Sequence, residues 1–245
     1  MNNKLSLIIP VYNASDFIID SLKKLTQWQS KLDYSTEIIL VNDGSKDDSK
    51  TKIEDFIKEY KSNVKLISYD KNRGKGYAVK QGMVSAMGEF KIFTDADVPY
   101  GLEIIDKMLY YLDFKEFDVC IGNRRSFHSK YFTQISFFRK LSSILYTAFI
   151  SRFVVTGIND TQCGLKGFRA NVADQLFPKL AVKGFGFDVE LLYLSYKNEY
   201  DIKRIPVSFE GNNNSTIHLA KDSLYMLKDV FALPLRYHFT KRYRQ

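Results

Sequence analysis

Five apolar runs, each broken off by a polar turn and followed by an amphipathic stretch, constrain this chain more than any other feature. Leu5-Ser6-Leu7-Ile8-Ile9, Glu37-Ile38-Ile39-Leu40-Val41, and the segments 64–68, 89–94 and 117–121 read as strands. Between them, 15–28, about 45–60, 77–87 and 102–112 carry helical spacing. Continuous Ile/Val/Leu runs, rather than alternating ones, belong to strands covered on both faces, as in parallel sheets. Repeated strand–helix units of this kind predict a doubly wound, mostly parallel α/β sheet. Ser45 with Asp48 is expected to cap the second helix.

In such sheets ligands collect at the carboxyl ends of the strands. Four polar clusters follow strands here: Pro10-Val11-Tyr12-Asn13, Asn42-Asp43-Gly44-Ser45, Asn72-Arg73-Gly74-Lys75-Gly76 and Asp95-Ala96-Asp97. All four are expected to meet at one sheet edge. Asp95 and Asp97 stand two apart, so on an extended segment they would point to one side. Carboxylates that close repel each other unless a cation compensates. A hard divalent ion, Mg²⁺ or Mn²⁺, takes such oxygen ligands and bridges them to a substrate diphosphate. The plainer reading is a solvated acidic turn. Asp43 suits either a turn or a hydrogen bond to a base or ribose. The two glycines around Lys75 allow close backbone approach to a diphosphate, although no Walker A pattern is present.

The net charge of +8 favours an anionic partner: a nucleotide, a nucleic acid or an acidic membrane surface. Two cysteines far apart, Cys120 and Cys163, predict free thiols in a reducing, cytoplasmic setting. No run of about 18 apolar residues predicts a membrane span. The second half is aromatic and basic. Phe132, Phe137, Phe138 and Phe149 lie among Arg139, Lys140 and Arg152 on a helical pattern over 131–155. Tyr237, Phe239 and Tyr243 lie among Arg236, Lys241, Arg242 and Arg244, with Pro234 expected to break the helix. Both stretches suit helices in a membrane interface. Packing on the sheet, or a homodimer through the same apolar surface, are the other readings. The expected division is 1–220 as one domain, with a nucleotide half over 1–122 and an acceptor half over 123–220, then a basic tail over 221–245.

The four clusters, in this order and spacing, resemble family 2 inverting glycosyltransferases. Gly122-Asn123-Arg124, Asp160-Thr161-Gln162-Cys163-Gly164-Leu165-Lys166-Gly167-Phe168 and Gly186-Phe187-Asp188-Val189-Glu190 sharpen the likeness to the dolichyl-phosphate and polyprenyl-phosphate glucosyltransferase branch. The resemblance covers residues 4–230. It implies the GT-A fold, a nucleotide-sugar donor such as UDP-glucose, a divalent metal and a polyprenyl phosphate acceptor at the inner face of a membrane. By that likeness Pro10, Tyr12, Asn13 and Asp43 would hold base and ribose, and Lys75 and Gly76 would lie near the diphosphate. Asp97, with Asp95, would bind the metal. Asp160, Gln162, Arg124 and Arg139 would face the acceptor phosphate. Asp188 would approach sugar or acceptor, or else cap its helix. Asn42 stands where an aspartate is frequent, which weakens one nucleotide contact. Pro99 replaces a glutamine of mannosyl-transferring relatives. A transferase using a hydroxyl acceptor on a glycan is the alternative of the same class. A non-catalytic nucleotide- or nucleic-acid-binding protein is the alternative of another class. No nucleic-acid reader motif is present, and acids concentrate at the expected sheet edge.

Overall fold

The computed structural model describes residues 3–60, 64–124, 157–158, 160–209, 229 and 231–243. The helix expected over 131–155, with Arg139 and Phe132, Phe137, Phe138 and Phe149, lies outside these residues. Among the described residues, seven strands form one sheet in the order β3-β2-β1-β4-β6-β5-β7. They are β1 (Leu5–Val11), β2 (Thr36–Asp43), β3 (Val64–Tyr69), β4 (Phe90–Phe93), β5 (Val119–Asn123), β6 (Lys166–Arg169) and β7 (Ile202–Pro206). β1 runs parallel to both β2 and β4, β2 to β3, and β5 to β7. Only β6 is antiparallel to its neighbours, β4 and β5.

The unbroken apolar runs have the expected cause. In β1, Leu5, Leu7, Ile9 and Val11 enter one core while Ile8 enters the other. In β2, Ile38 and Leu40 oppose Ile39 and Val41 in the same way. A strand whose successive side chains point to opposite faces is apolar throughout when both faces are covered. α1 (Ile18–Gln29), α2 (Ser49–Tyr60) and α4 (Glu103–Leu109) cover one face through Leu22, Ile53 and Met108. α3 (Lys75–Ser85), α5 (Ala170–Leu176) and α6 (Phe187–Lys197) cover the other through Val79, Val172 and Leu191. A fully buried side chain of this kind contributes about 1.5–3 kcal/mol.

Chain order places the site. The strands advance from β1 to β3 on one side, and β4 then pairs on the opposite side of β1. The order therefore reverses between β1 and β4, where open sheets form a crevice at the strand ends. β6 enters backwards, with Lys166 in register with both Phe93 and Ile121. Its reversed direction brings the turn before it, over 160–165, to the same edge as the ends of β4 and β5. The halves divided at residue 122 in the sequence reading thus interleave within one sheet.

Three local expectations change. α2 begins at Ser49, and Asp47, not Ser45 with Asp48, accepts from the Ser49 backbone N–H at 3.1 Å. Ser45 instead receives the Asn13 N–H at 3.0 Å, because the chain needs that hydroxyl to join two loops. Pro234 does not break its segment: residues 231–239 form a helix, α7. Burial of Leu233, and packing of Tyr237 against the same core, hold it through the proline. Tyr237 and Tyr243 face the protein rather than a bilayer: Tyr237 stacks edge-on against Tyr193 at 5.7 Å, and the Tyr243 hydroxyl donates to Glu190. The outward residues are Phe231, Leu235 and Phe239, 57%, 62% and 84% exposed. Among the described residues no helix is long and apolar enough to cross a membrane. Cys120 and Cys163 are buried free thiols, as expected.

Candidate active site

Each of the four loops is bonded to another. Asn13, exposed at φ 49°, gives its N–H to Ser45 and accepts the Lys46 N–H at 2.8 Å, which joins the first loop to the second. Pro10 and Tyr12 lie half-buried beside it at the end of β1. Asp43, buried at the end of β2, accepts the N–H groups of Arg73 at 2.8 Å and Gly74 at 2.9 Å. The Asn72 side chain donates to Asp43 as well, at 2.9 Å. Asp43 therefore holds the third loop in shape. Gly74 adopts φ 97°, open to glycine, and a Cβ there would lie 2.5 Å from the Lys183 carbonyl oxygen. Gly76 meets Phe187 and the Val182 carbonyl as closely. The loop is thus wedged against the segment before α6.

Lys75, first residue of α3, reaches Asp95 at 2.5 Å and joins the third loop to the fourth. Asp95 and Asp97 do not lie on an extended segment. The chain turns after Phe93, closed by the Val98 N–H donating to the Asp95 carbonyl at 3.0 Å. Val98 sits at φ 48°, a costly conformation for a β-branched residue. Such outliers cluster at functional sites. Burial and the Asp95 charge raise the Asp97 carboxyl above the ordinary carboxylate range.

The second half supplies the rest. Asp160, buried in the turn before β6, accepts from Arg124 three times: the backbone N–H at 2.8 Å, Nε at 2.9 Å and a terminal nitrogen at 2.8 Å. Burial works against its charge, but Arg124 outweighs burial and holds the carboxyl below the ordinary range. Gln162 is half-buried in the same turn. Tyr100 closes the floor by accepting the Gly164 N–H at 3.2 Å. A Cβ on Gly164 would collide with the Asp95 carboxylate, so this turn packs directly on the acidic loop. Asp188 does not cap α6. Gly186 is the cap residue, and the Asp188 side chain turns inward to Lys166 at 2.5 Å. Burial raises the Asp188 carboxyl, opposed by Lys166 and Lys75.

Charges in the cleft are arranged in pairs. Lys75, Arg124 and Lys166 are matched with Asp95, Asp160 and Asp188. Of the other two acids, Asp43 is met by backbone and amide N–H groups, and Asp97 forms no ion pair among the described residues. It is held half-buried beside a like charge, the setting a divalent cation relieves. No group of three or more metal-ligating side chains occurs among the described residues. The chain thus offers the carboxylates of Asp95 and Asp97, and a substrate diphosphate would supply further oxygen ligands. The residues fit such an ion. Arg139 lies outside the described residues. Reading the sequence missed Lys166 and Tyr100; a lone lysine amid Cys163-Gly-Leu-Lys-Gly-Phe168 was the available signal for the first.

The family model for glycosyl transferase family 2 matches residues 6–177. Dolichyl-phosphate beta-glucosyltransferase of Dictyostelium discoideum is 31% identical over 96% of this chain and 75% of its own length. The Homo sapiens enzyme of that name is also 31% identical, over 96% and 76%. Among solved structures, glucosyl-3-phosphoglycerate synthase from Mycobacterium tuberculosis, bound to Mn²⁺, UDP and its product, superposes with a TM-score of 0.67. That match has 16% identity and covers 95% of this chain and 79% of the other. Mannosyl-3-phosphoglycerate synthase from Rubrobacter xylanophilus gives 0.71 at 13% identity, over 96% and 75%. These last two carry the fold alone, the GT-A arrangement. A match across most of the sheet and helices, together with relatives near 30% identity along nearly the whole sequence, makes this chain a member of glycosyl transferase family 2.

Proposed function

We propose that this glycosyltransferase moves glucose from UDP-glucose to a polyprenyl phosphate of the dolichyl type at a membrane surface. One observation carries the reading: Asp97 forms no ion pair among the described residues and lies within electrostatic reach of Asp95 and Lys75, and Lys75 in turn lies within reach of Arg124. Lys75 and the N-terminus of α3 would receive the donor diphosphate, since helix N-termini favour phosphate groups. Pro10, Tyr12 and Asn13 would border the uridine, with Asp43 keeping the Asn72–Gly74 backbone in place. Asp97, with Asp95 beside it, would hold Mg²⁺ or Mn²⁺, which supplies Lewis-acid stabilisation of charge on the leaving diphosphate. The named relatives and the UDP-bound neighbours support glucose and uridine.

The acceptor phosphate has a second pKa near 6 and arrives largely as the dianion. It needs positioning rather than a base. Arg124 offers a planar fork suited to phosphate. Asp160, its carboxylate already receiving three N–H groups from Arg124, acts by orienting that fork. In the transfer, a phosphate oxygen attacks the anomeric carbon from the face opposite UDP. The new C–O bond forms as the bond to the diphosphate breaks, and its electron pair leaves with UDP. The products are the inverted glucosyl phospholipid and UDP. Asp188, buried against Lys166 and within electrostatic reach of Lys75, would hold that lysine's field in place. Preorganised charge of this kind is commonly the largest catalytic contribution.

The bilayer contact would be made by α7. Phe231, Leu235 and Phe239 recur every four residues on its outer side, and no acid follows Asp229 to the end of the sequence. Purified protein with Mn²⁺, UDP-glucose and polyprenyl phosphate should yield a lipid-soluble glucoside. Absence of lipid product with every nucleotide sugar tried would overturn the reading. Product from a free glycan but not from the lipid would move it to a hydroxyl acceptor.

A further inference from the structure

Lys166 has no role in the proposed reaction, yet its side chain is completely buried beside the cleft. An ammonium is not buried without compensation, and a buried ion pair is often no more stabilising than apolar side chains of similar size. Stability alone therefore does not account for it. Its partners come from three segments that each carry a site residue. It donates to the Cys163 carbonyl at 2.7 Å, in the turn that holds Asp160. It donates to Asp188 at 2.5 Å, at the start of α6. It lies 5.6 Å from the ring centre of Phe93, two residues before Asp95. Its register opposite both Phe93 and Ile121 puts it between the strand ends that launch Asp95 and Arg124.

We infer that Lys166 is a positioning residue, stapling these three segments so that the Lys75–Asp95 and Arg124–Asp160 pairs keep one mutual geometry. The inference rests on the donor and acceptor roles proposed for Lys75 and Arg124. Arg124 follows β5, the 160–165 turn precedes β6, and Asp188 begins a helix on one face of the sheet. Without the ammonium, Asp188 loses its ion-pair partner and the segments lose their shared donor. Misplacement of about 1 Å at a reacting centre costs on the order of 10²-fold in rate.

The test uses Lys166→Met, Lys166→Arg, Asp188→Leu and the Lys166→Met/Asp188→Leu double variant, each compared with wild type in turnover, donor KM and melting temperature. Lys166→Met should lower kcat by about 10²-fold, with a far smaller change in donor KM. Lys166→Arg, which keeps the charge, should recover at least a tenth of wild-type kcat. Because Lys166 acts partly through Asp188, the double variant should be slower than neither single by more than about threefold. A folded Lys166→Met protein with kcat within twofold of wild type overturns the inference, as does a double variant showing the full product of the two losses. Should Lys166→Met fail to fold, the double variant, whose apolar pair leaves no lone buried charge, decides: wild-type turnover there overturns it. A wild type inert toward lipid phosphate would be a failure of the proposed acceptor, not of Lys166. The same variants are then compared in UDP-glucose hydrolysis, where Lys166→Met should show the same loss.

Discussion

The two edges of the sheet both bury charge, and they do so to opposite effect. At the amino edge, Glu37 near the start of β2 accepts from Ser6 at 2.6 Å, from Lys65 at 2.6 Å and from the Met87 N–H at 2.7 Å. The Gly88 N–H completes the group by donating to Ser6 at 2.8 Å. Burial opposes the Glu37 charge, but these donors prevail and its carboxyl is held below the ordinary range. At the carboxyl edge, Asp97 is raised by burial and by Asp95, and its own backbone N–H and the Lys75 charge do not offset them. An acid satisfied on every side serves the fold. An acid kept short of partners is ready for a ligand, and the fold carries the cost.

Substitutions can break that contrast. The largest effect is expected at Asp97: Asp97→Asn should cut kcat/KM by about 10²- to 10³-fold, or about 3–4 kcal/mol of barrier, without lowering the melting temperature. A melting temperature several degrees lower would make Asp97 a structural acid after all. Asp160→Asn should cost about 1.5–3 kcal/mol in urea unfolding, because the partly buried Arg124 loses its counter-charge, and should raise the acceptor KM. Glu37→Gln should cost about 1–3 kcal/mol of stability while leaving kcat unchanged, the reverse of Asp97.

Acid titration sharpens the comparison. The Glu37 carboxyl is lowered on folding, so its stabilisation is present above its unfolded value, about 4.3, and is lost as pH falls through the folded value. The gap between wild type and Glu37→Gln should therefore close in acid. Asp97 is raised on folding, so its ionised form costs stability above the folded value, and that cost disappears as pH falls below about 3.9. Asp97→Asn should be slightly more stable than wild type at neutral pH and no different in strong acid. Urea melts across pH check both signs. The smallest change in stability is expected on α7: Phe239→Ser should alter unfolding by no more than about 0.5 kcal/mol, yet reduce sedimentation with anionic vesicles. Unchanged sedimentation would remove the membrane role proposed for that face.

The meeting of the four polar loops at one edge was legible because its chemistry is local. Asp43 closes β2, Asp95 and Asp97 follow β4, and Lys75 follows the loop after β3, so the strand ends fix the edge at which they emerge. The pairings were not legible. Arg124 and Asp160 are 36 residues apart, Lys166 and Asp188 22, and nothing in their spacing marks them as partners. The direction of the aromatic tail was equally hidden. Tyr237, Phe239 and Tyr243 look alike in a row, but Tyr243 packs inward to Glu190 while Phe239 points out.

The order of strands and helices, the apolar faces and the positions of the polar loops follow from the sequence alone, since periodicity and turn chemistry act over a handful of residues. The reversal of β6, which brings Lys166 between β4 and β5, arises only in the assembled sheet. So does the sorting of the site's charges into the Lys75–Asp95, Arg124–Asp160 and Lys166–Asp188 pairs, with Asp97 outside them, because burial and Coulomb attraction depend on distances that chain separation does not specify.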